Sequence, residues 1–233
     1  MHRLIDGERT DVVFRLHLIP AYQALGTLLA AKGDYKSGVE QLRLAVAEAD
    51  RLIPVEPDNA FWRGLAAQAR LDLAKTLIEA NRPADAAVAE SAGCSDARRV
   101  LARDPSPTWR SLQTACLSVR SRLALAGNAP VDALKLAVQA VASARTERSA
   151  DPIKDRYSIA AEQRLLGDVR HRMGDNDGAK AAWVDGLVPL PTNQFERPWE
   201  MNERAELLRR VGRADEARSL TERLAAIGYR RTI

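Results

Sequence analysis

Apolar residues return at every third or fourth position through most of this chain, and the returns are broken at intervals by glycine, asparagine and proline. In 59–80, Leu65, Ala69, Leu73 and Leu77 recur four apart. That spacing stacks side chains on one face of a helix. The run stops at "ANRPADA", one of five turns of the same kind; the others are "KGDYKSG", "AGNAPVDA", "MGDNDGA" and "VGRADEA", placed at Gly33, Asn81, Gly127, Gly174 and Gly212. Glycine and asparagine tolerate the left-handed backbone that ends a helix, and Asp34, Asn128, Asp175, Pro83 and Pro130 suit the start of the next. A small residue follows each turn at nearly constant distance: Gly38, Ala86, Ala133, Ala179 and Ala217. Small side chains there let two antiparallel helices approach closely. The second helices are expected to bury Leu42, Ala45 and Val46, then Val88 and Ala92, then Ala137 and Ala140, then Trp183.

The connections between these hairpins repeat as well. A shift of 48 lays Arg3-Leu4-Ile5 on Arg51-Leu52-Ile53, Phe14 on Trp62 and Gly26 on Ala74. Pro105 lies 48 after Pro57, Trp109 lies 47 after Trp62, and Pro152 lies 47 after Pro105. A fixed period of a few tens of residues marks a stacked array. The expected units run approximately 8–55, 56–103, 104–150, 151–190 and 195–228, in a single domain spanning 1–233. Residues 1–7 read as a remnant of a preceding second helix, which leaves two expectations open: a fragment of something larger, or an irregular cap. At the other end Ala214, Ala217, Leu220, Leu224 and Ile227 form an amphipathic last helix stopped by Gly228, with Arg213, Glu216, Arg218 and Glu222 largely off the stripe. A solenoid needs such a polar-backed end.

Leu25-Gly26 with Gly33-Asp34-Tyr35 and Gly38, and Leu166-Gly167-Asp168 with Gly174-Asp175 and Ala179, resemble tetratricopeptide repeats (TPR). The units are longer than the classical 34 residues. They are similar to extended bacterial TPR arrays joined by an Asp-Pro-x-Asn-x-x-Trp-like phrase, matched here by Pro57-Asp58-Asn59 with Trp62 and by Asp104-Pro105 with Trp109. The third unit departs from the pattern, lacking the Leu-Gly pair near Val119-Arg120. The resemblance implies an all-α, right-handed α-solenoid of about five antiparallel hairpins. Its first helices would line a concave groove that binds a peptide or protein segment, without catalysis.

Composition agrees with an all-α fold: 46% of the residues are hydrophobic but only 5% aromatic. Alanine and leucine therefore supply most of the apolar surface. A net charge of +4 without a basic tail or polybasic run argues against nucleic acid and membrane surfaces as partners. The N-terminal stretch has no secretory leader pattern, and no run is expected to approach the roughly 18 uncharged apolar residues of a membrane span. A cytoplasmic protein is expected. Cys94 and Cys116, without a CxxC motif or a neighbouring histidine, read as small packed side chains rather than a disulfide framework. His2, His17 and His171 are scattered, and no HExxH, GxSxG or GxxxxGK[ST] occurs, so no enzyme, metal or cofactor is expected. "DNDG" at 175–178 begins like a calcium loop but has Gly186 where the bidentate Glu belongs, and reads as an interhelix turn.

If Gly167 and Ala205 mark close crossings, helical spacing puts Arg164, Asp168, His171 and Arg172 on one exposed face and Asn202, Glu206, Arg209 and Arg210 on the next. Guanidinium binds carboxylate bidentately and an Asn carboxamide can hold an extended backbone, so the pair of faces suits an acidic peptide or a C-terminal carboxylate. The competing reading is a solvated face with intrahelical pairs such as Glu206 to Arg210. The corresponding positions earlier in the chain are less polar: Gln23, Thr27 and Ala30, then Gln68, Leu71, Lys75 and Ile78, then Thr114, Leu117 and Ser121. Trp62, Trp109 and Tyr157 follow the repeat phase and read as core plugs. The functional expectation is an interaction module, either a free-standing adaptor or the C-terminal or regulatory part of a larger bacterial signalling or regulatory protein; the alternative is a nucleic-acid-binding repeat protein using its arginine faces.

Overall fold

The computed structural model describes residues 2–191 and 196–229, with side chains from residue 11 onward. Among the described residues there are ten helices and no strand: α1 His2–Ala31, α2 Tyr35–Leu52, α3 Ala60–Glu79, α4 Pro83–Arg103, α5 Pro107–Ala126, α6 Pro130–Ala144, α7 Pro152–Arg172, α8 Asn176–Leu187, α9 Pro198–Arg210 and α10 Ala214–Ala226. The chain divides into two compact units, Met1–Leu112 and Gln113–Ile233, with the division inside α5.

Local chemistry sets the helix ends. The hairpin turns place Gly33, Asn81, Gly174 and Gly212 at positive φ, as their sequence suggested. In the third turn it is Asn128, φ 57°, and not Gly127, that turns left-handed. Asp34 and Asp175 accept from the backbone amides of Ser37 and Gly178, so "DNDG" is the N-cap of α8. Between hairpins, Asn59 caps α3 by accepting from the Trp62 amide, and Asp151 accepts from the amides of Ile153 and Lys154 ahead of Pro152. These hydrogen bonds hold the Asp151 carboxyl below its ordinary range, the backbone bond from Lys154 first and the Arg197 side chain next.

In the first unit α1 pairs with α2 and α3 with α4, while α3 also packs against α2 and α1. The α1–α2 crossing is tight because two glycines meet there: a Cβ on Gly26 would stand 2.7 Å from Leu42 Cγ and 2.9 Å from the Gly38 carbonyl. Ile19, Ala49, Leu52, Trp62 and Ala66 form one core cluster. The stripe of α4 differs from expectation. Val88 is 73% exposed and Ala92 is exposed as well, whereas Ala86, Ala89, Gly93, Cys94, Ala97 and Val100 are buried. Nearly every position of "PADAAVAESAGCSDA" is small, so apolarity there does not mark a face and close approach decides. The buried face includes Asp96, which accepts from Arg63 at 3.2 Å and Arg70 at 2.8 Å.

Three further expectations are corrected. Residues 2–7 belong to α1, which runs unbroken from His2; Asp6 and Arg9 stand where the later boundary has Pro54 and Pro57, so nothing breaks the helix. Asp11–Ala31 is long and apolar enough, by length and composition, to cross a membrane. Cys94 and Cys116 are buried as expected, but neither is a free thiol; two isolated cysteines in sequence carry no signal of their state.

In the second unit α6 packs on α7, α7 pairs with α8 and also meets α9, and α9 pairs with α8 and α10. Ser121 Oγ, from the second-unit part of α5, donates to the Ala133 carbonyl. One core cluster joins Ala133, Ala137 and Val141 to Leu165, Leu166, Val169 and Ala182. A second gathers Tyr157, Ala160, Ala179, Trp183 and Leu207, and a third joins Met201, Ala205 and Leu208 to Ala217, Leu220 and Leu224. Ala214 and Ile227 stand outside the last stripe, exposed.

The connection from α6 to α7 folds inward at Glu147, whose Oε2 accepts from Ser158 at 3.1 Å while Oε1 is buried without a partner. Burial raises its pKa, only partly opposed by the hydroxyls of Thr114 and Ser158. A carboxyl whose folded pKa is raised favours folding below its unfolded pKa and loses that contribution as pH climbs through the folded value. Glu147→Gln is therefore expected to increase stability at neutral pH, with the gain vanishing in acid. Urea denaturation at pH 7 and pH 4 checks it; a variant less stable at pH 7 contradicts the account.

Candidate functional site

α7 and α9 bring the predicted charged residues of the second unit together. Gly167 and Ala205 sit at crossings: a Cβ on Gly167 would overlap the Trp183 ring, and Ala205 is 1% exposed in the α9–α10 core. Trp183 Nε1 donates to Asp168 Oδ1 at 3.1 Å, fixing the carboxylate on the face that meets α9. Arg210 reaches the same carboxylate with two bonds, Nε at 2.6 Å and Nη2 at 3.1 Å, and also donates to Glu206 Oε2 at 2.7 Å. Glu206 accepts from Arg209 at 2.6 Å.

The expected exposed arginine at 164 is not exposed. Arg164 is 6% accessible and lies in a bidentate pair with Glu203, Nε at 2.6 Å and Nη2 at 3.0 Å, with Asp168 3.7 Å away. Burial works against its charge, but the Glu203 carboxylate more than compensates and the guanidinium pKa is raised. For Glu206, burial pushes upward, yet the Arg210 hydrogen bond and the charges of Arg209, Arg210 and Arg164 hold it below the ordinary carboxylate range. Sequence reading missed Glu203. It lies on the same α9 face as Arg210, two turns away, and only the α7–α9 contact reveals it as the partner of Arg164.

Three arginines and three acids, Arg164, Arg209, Arg210, Asp168, Glu203 and Glu206, thus form a charge-balanced lattice rather than a cationic surface. The intrahelical Glu206–Arg210 pair of the competing reading is present within it. Two polar groups stand at its edge with bonding capacity left. Asn202 is 7% exposed and its carboxamide has no hydrogen-bond partner among the described residues; Arg209 Nε is buried with none. The two residues are seven apart on α9, two turns along one face. His171 is exposed, its Nδ1 2.8 Å from Asn176 Oδ1 and its ring 5.8 Å from that of Trp183. Arg172 is exposed beside it.

Lys75 lies in the first unit, exposed on α3. Next to it Asp72 accepts from Gln23 at 3.2 Å and Gln68 at 3.1 Å. Burial raises the Asp72 pKa and Lys75 opposes the shift. Ala30, Leu71, Thr114 and Ser121, expected on the less polar face, are buried. Trp62, Trp109 and Tyr157 are core plugs, at 6, 8 and 1% exposure.

No protein-family model and no curated protein matches the sequence. Solved structures do match the fold. A Podosopora anserina protein described as a kinesin light chain with nearly identical TPR-like repeats aligns at 20% identity over 90% of this chain and 94% of its own, with a TM-score of 0.51. BtubC (BKLC) from P. vanneervenii aligns at 16% identity over 97% of this chain and 90% of its own, with a TM-score of 0.50. The chain therefore has the fold of a TPR-like α-solenoid, built from helical hairpins.

Proposed function

We propose that this chain is a non-catalytic interaction module that holds an extended protein segment against the α7–α9 face. The observation that carries the reading is the pair of unused hydrogen-bonding groups on α9, the Asn202 carboxamide and Arg209 Nε. A covered polar group without a partner is costly, and a ligand that satisfies Arg209 Nε recovers that cost, with the Asn202 carboxamide offering further bonding capacity beside it. An Asn carboxamide offers a donor and an acceptor, the complement of a peptide unit, and Arg209 adds a cationic donor for a carboxylate. Exposed Arg172 favours the same sign of ligand. The lattice beneath, Arg164 with Glu203 and Arg210 with Asp168, keeps α7 and α9 in register and so supports the face without binding.

The pairing of the arginines also weighs against nucleic acid. Arg63, Arg70, Arg164, Arg204 and Arg210 are each committed to carboxylates and are withheld from replacing phosphate counterions.

A displayed library of random peptides with free C-termini, selected against the chain, provides the test. Enriched peptides should carry acidic residues or a required terminal carboxylate. Arg209→Ala should weaken their binding by about ten- to a hundredfold, the worth of a hydrogen bond to a charged group, and Asn202→Ala by about two- to tenfold, the worth of a neutral one. Absence of enrichment, or peptides that bind both variants as tightly as the parent, removes the reading.

A further inference from the structure

The outer side of α1 is built for the interior of something. From Leu16 to Ala31 the helix has no Asp, Glu, Lys or Arg. A helix apolar all round is ordinarily covered all round. α3, which has α1, α2 and α4 about it, meets that rule: from Trp62 to Ala80 only Lys75 is exposed. α1 packs against α2 and α3 through Ile19, Gly26 and Ala30. Its opposite side carries a bare stripe in which Phe14 is 61% and Leu28 42% exposed, with His17, Ala21 and Leu25 between them also exposed.

That stripe reads the same from both ends. Rotate a second α1 antiparallel about Ala21, and Phe14 of each copy falls opposite Leu28 of the other while His17 falls opposite Leu25. Ala21 meets Ala21, and small side chains at the centre let the helix axes come close. At the margins exposed Asp11, held by Arg15 at 2.9 Å, comes within one position of exposed Lys32 of the other copy, which adds a second cation to the same carboxylate. An isologous contact has this form, residue i against j and j against i. α10 is a poor partner for this stripe, because it turns exposed ion pairs outward, Arg213 with Glu216 and Arg218 with Asp215. Head-to-tail stacking of α10 on α1 would desolvate those charges against leucine. We infer that α1 is a homodimerisation face, closed by two copies pairing antiparallel through Phe14, Ala21, Leu25 and Leu28.

Sedimentation equilibrium of the chain at micromolar concentration, with and without anionic phospholipid vesicles, tests the inference. The expected result is the mass of two chains, reduced to one by Ala21→Glu, which sets two carboxylates against each other at the symmetry centre. Ala21 is exposed, so the helix content and unfolding midpoint should not change; Leu28→Glu is the second variant should the first disturb folding. Ala21→Cys should cross-link to itself on mild oxidation, whereas Arg218→Cys on α10 should not. Neither native cysteine is a free thiol, so the new one reports alone. A single-chain mass, or a dimer that survives both glutamates, overturns the inference. So does equal cross-linking at 21 and 218, and so does a single chain that binds vesicles through Leu28, which would give the stripe to a bilayer.

Discussion

Arg164→Met is expected to destabilise the folded chain by about 3–5 kcal/mol, the usual cost of removing one partner of a buried ion pair. Glu203 is 7% exposed, and Arg164 binds both of its carboxylate oxygens. Without the guanidinium, the acid must take up a proton, drag in water or pull α9 away from α7. The double variant Arg164→Met with Glu203→Leu removes the buried carboxylate as well and keeps apolar volume, so most of the loss should return. Urea denaturation of the parent, both single variants and the double variant closes a thermodynamic cycle. A single variant within about 1 kcal/mol of the parent would show the pair to be solvated and the lattice incidental. Lysine is not an adequate substitute at 164, because one ammonium cannot reproduce the two parallel bonds.

Trp109→Ala is expected to cost about 3–5 kcal/mol, as large core truncations do. Trp109 is 8% exposed; its ring lies on Gly64 so closely that any Cβ there would overlap it, and it meets Phe61 edge-on with centroids 5.8 Å apart. The glycine and the tryptophan are therefore one feature: α3 gives up a side chain so that an indole can fill the space. A ligand-stacking tryptophan would behave otherwise, its loss leaving stability within about 0.5 kcal/mol and reducing binding instead. Chemical denaturation of the variant separates the two roles.

The sequence announced what depends on neighbouring residues. Left-handed turns at Gly33, Asn81, Gly174 and Gly212, caps at Asp34 and Asp175, and the small residues after each turn are local rules with local signatures, and they place the hairpins. Where local rules tie, reading failed. Gly127 and Asn128 both tolerate positive φ, and Asn128 took it. α4 is small on several faces, so the stripe assigned to Val88 and Ala92 fell on the wrong side. The candidate site was legible in membership and not in state. Arg164, Asp168, Glu206 and Arg210 do meet, but through contacts between helices 39 to 42 residues apart in the chain, which convert the expected cationic face into a balanced lattice. Separations of 33 and 26 residues likewise hid Asp96 beneath Arg63 and Arg70, and the outward stripe of α1 showed only once its two neighbours were known to lie on the other side.

The positions following the five turns, Gly38, Ala86, Ala133, Ala179 and Ala217, are all buried, the four alanines at 0–1% exposure. One small residue at each crossing, together with a turn residue and a cap, carries most of the specification of a hairpin; the outward positions of the second helices are left nearly unconstrained. Drift at those outward positions erases sequence similarity long before it disturbs the architecture. Structures that share only 16–20% identity with this chain while retaining its fold are the result to be expected from so sparse a code.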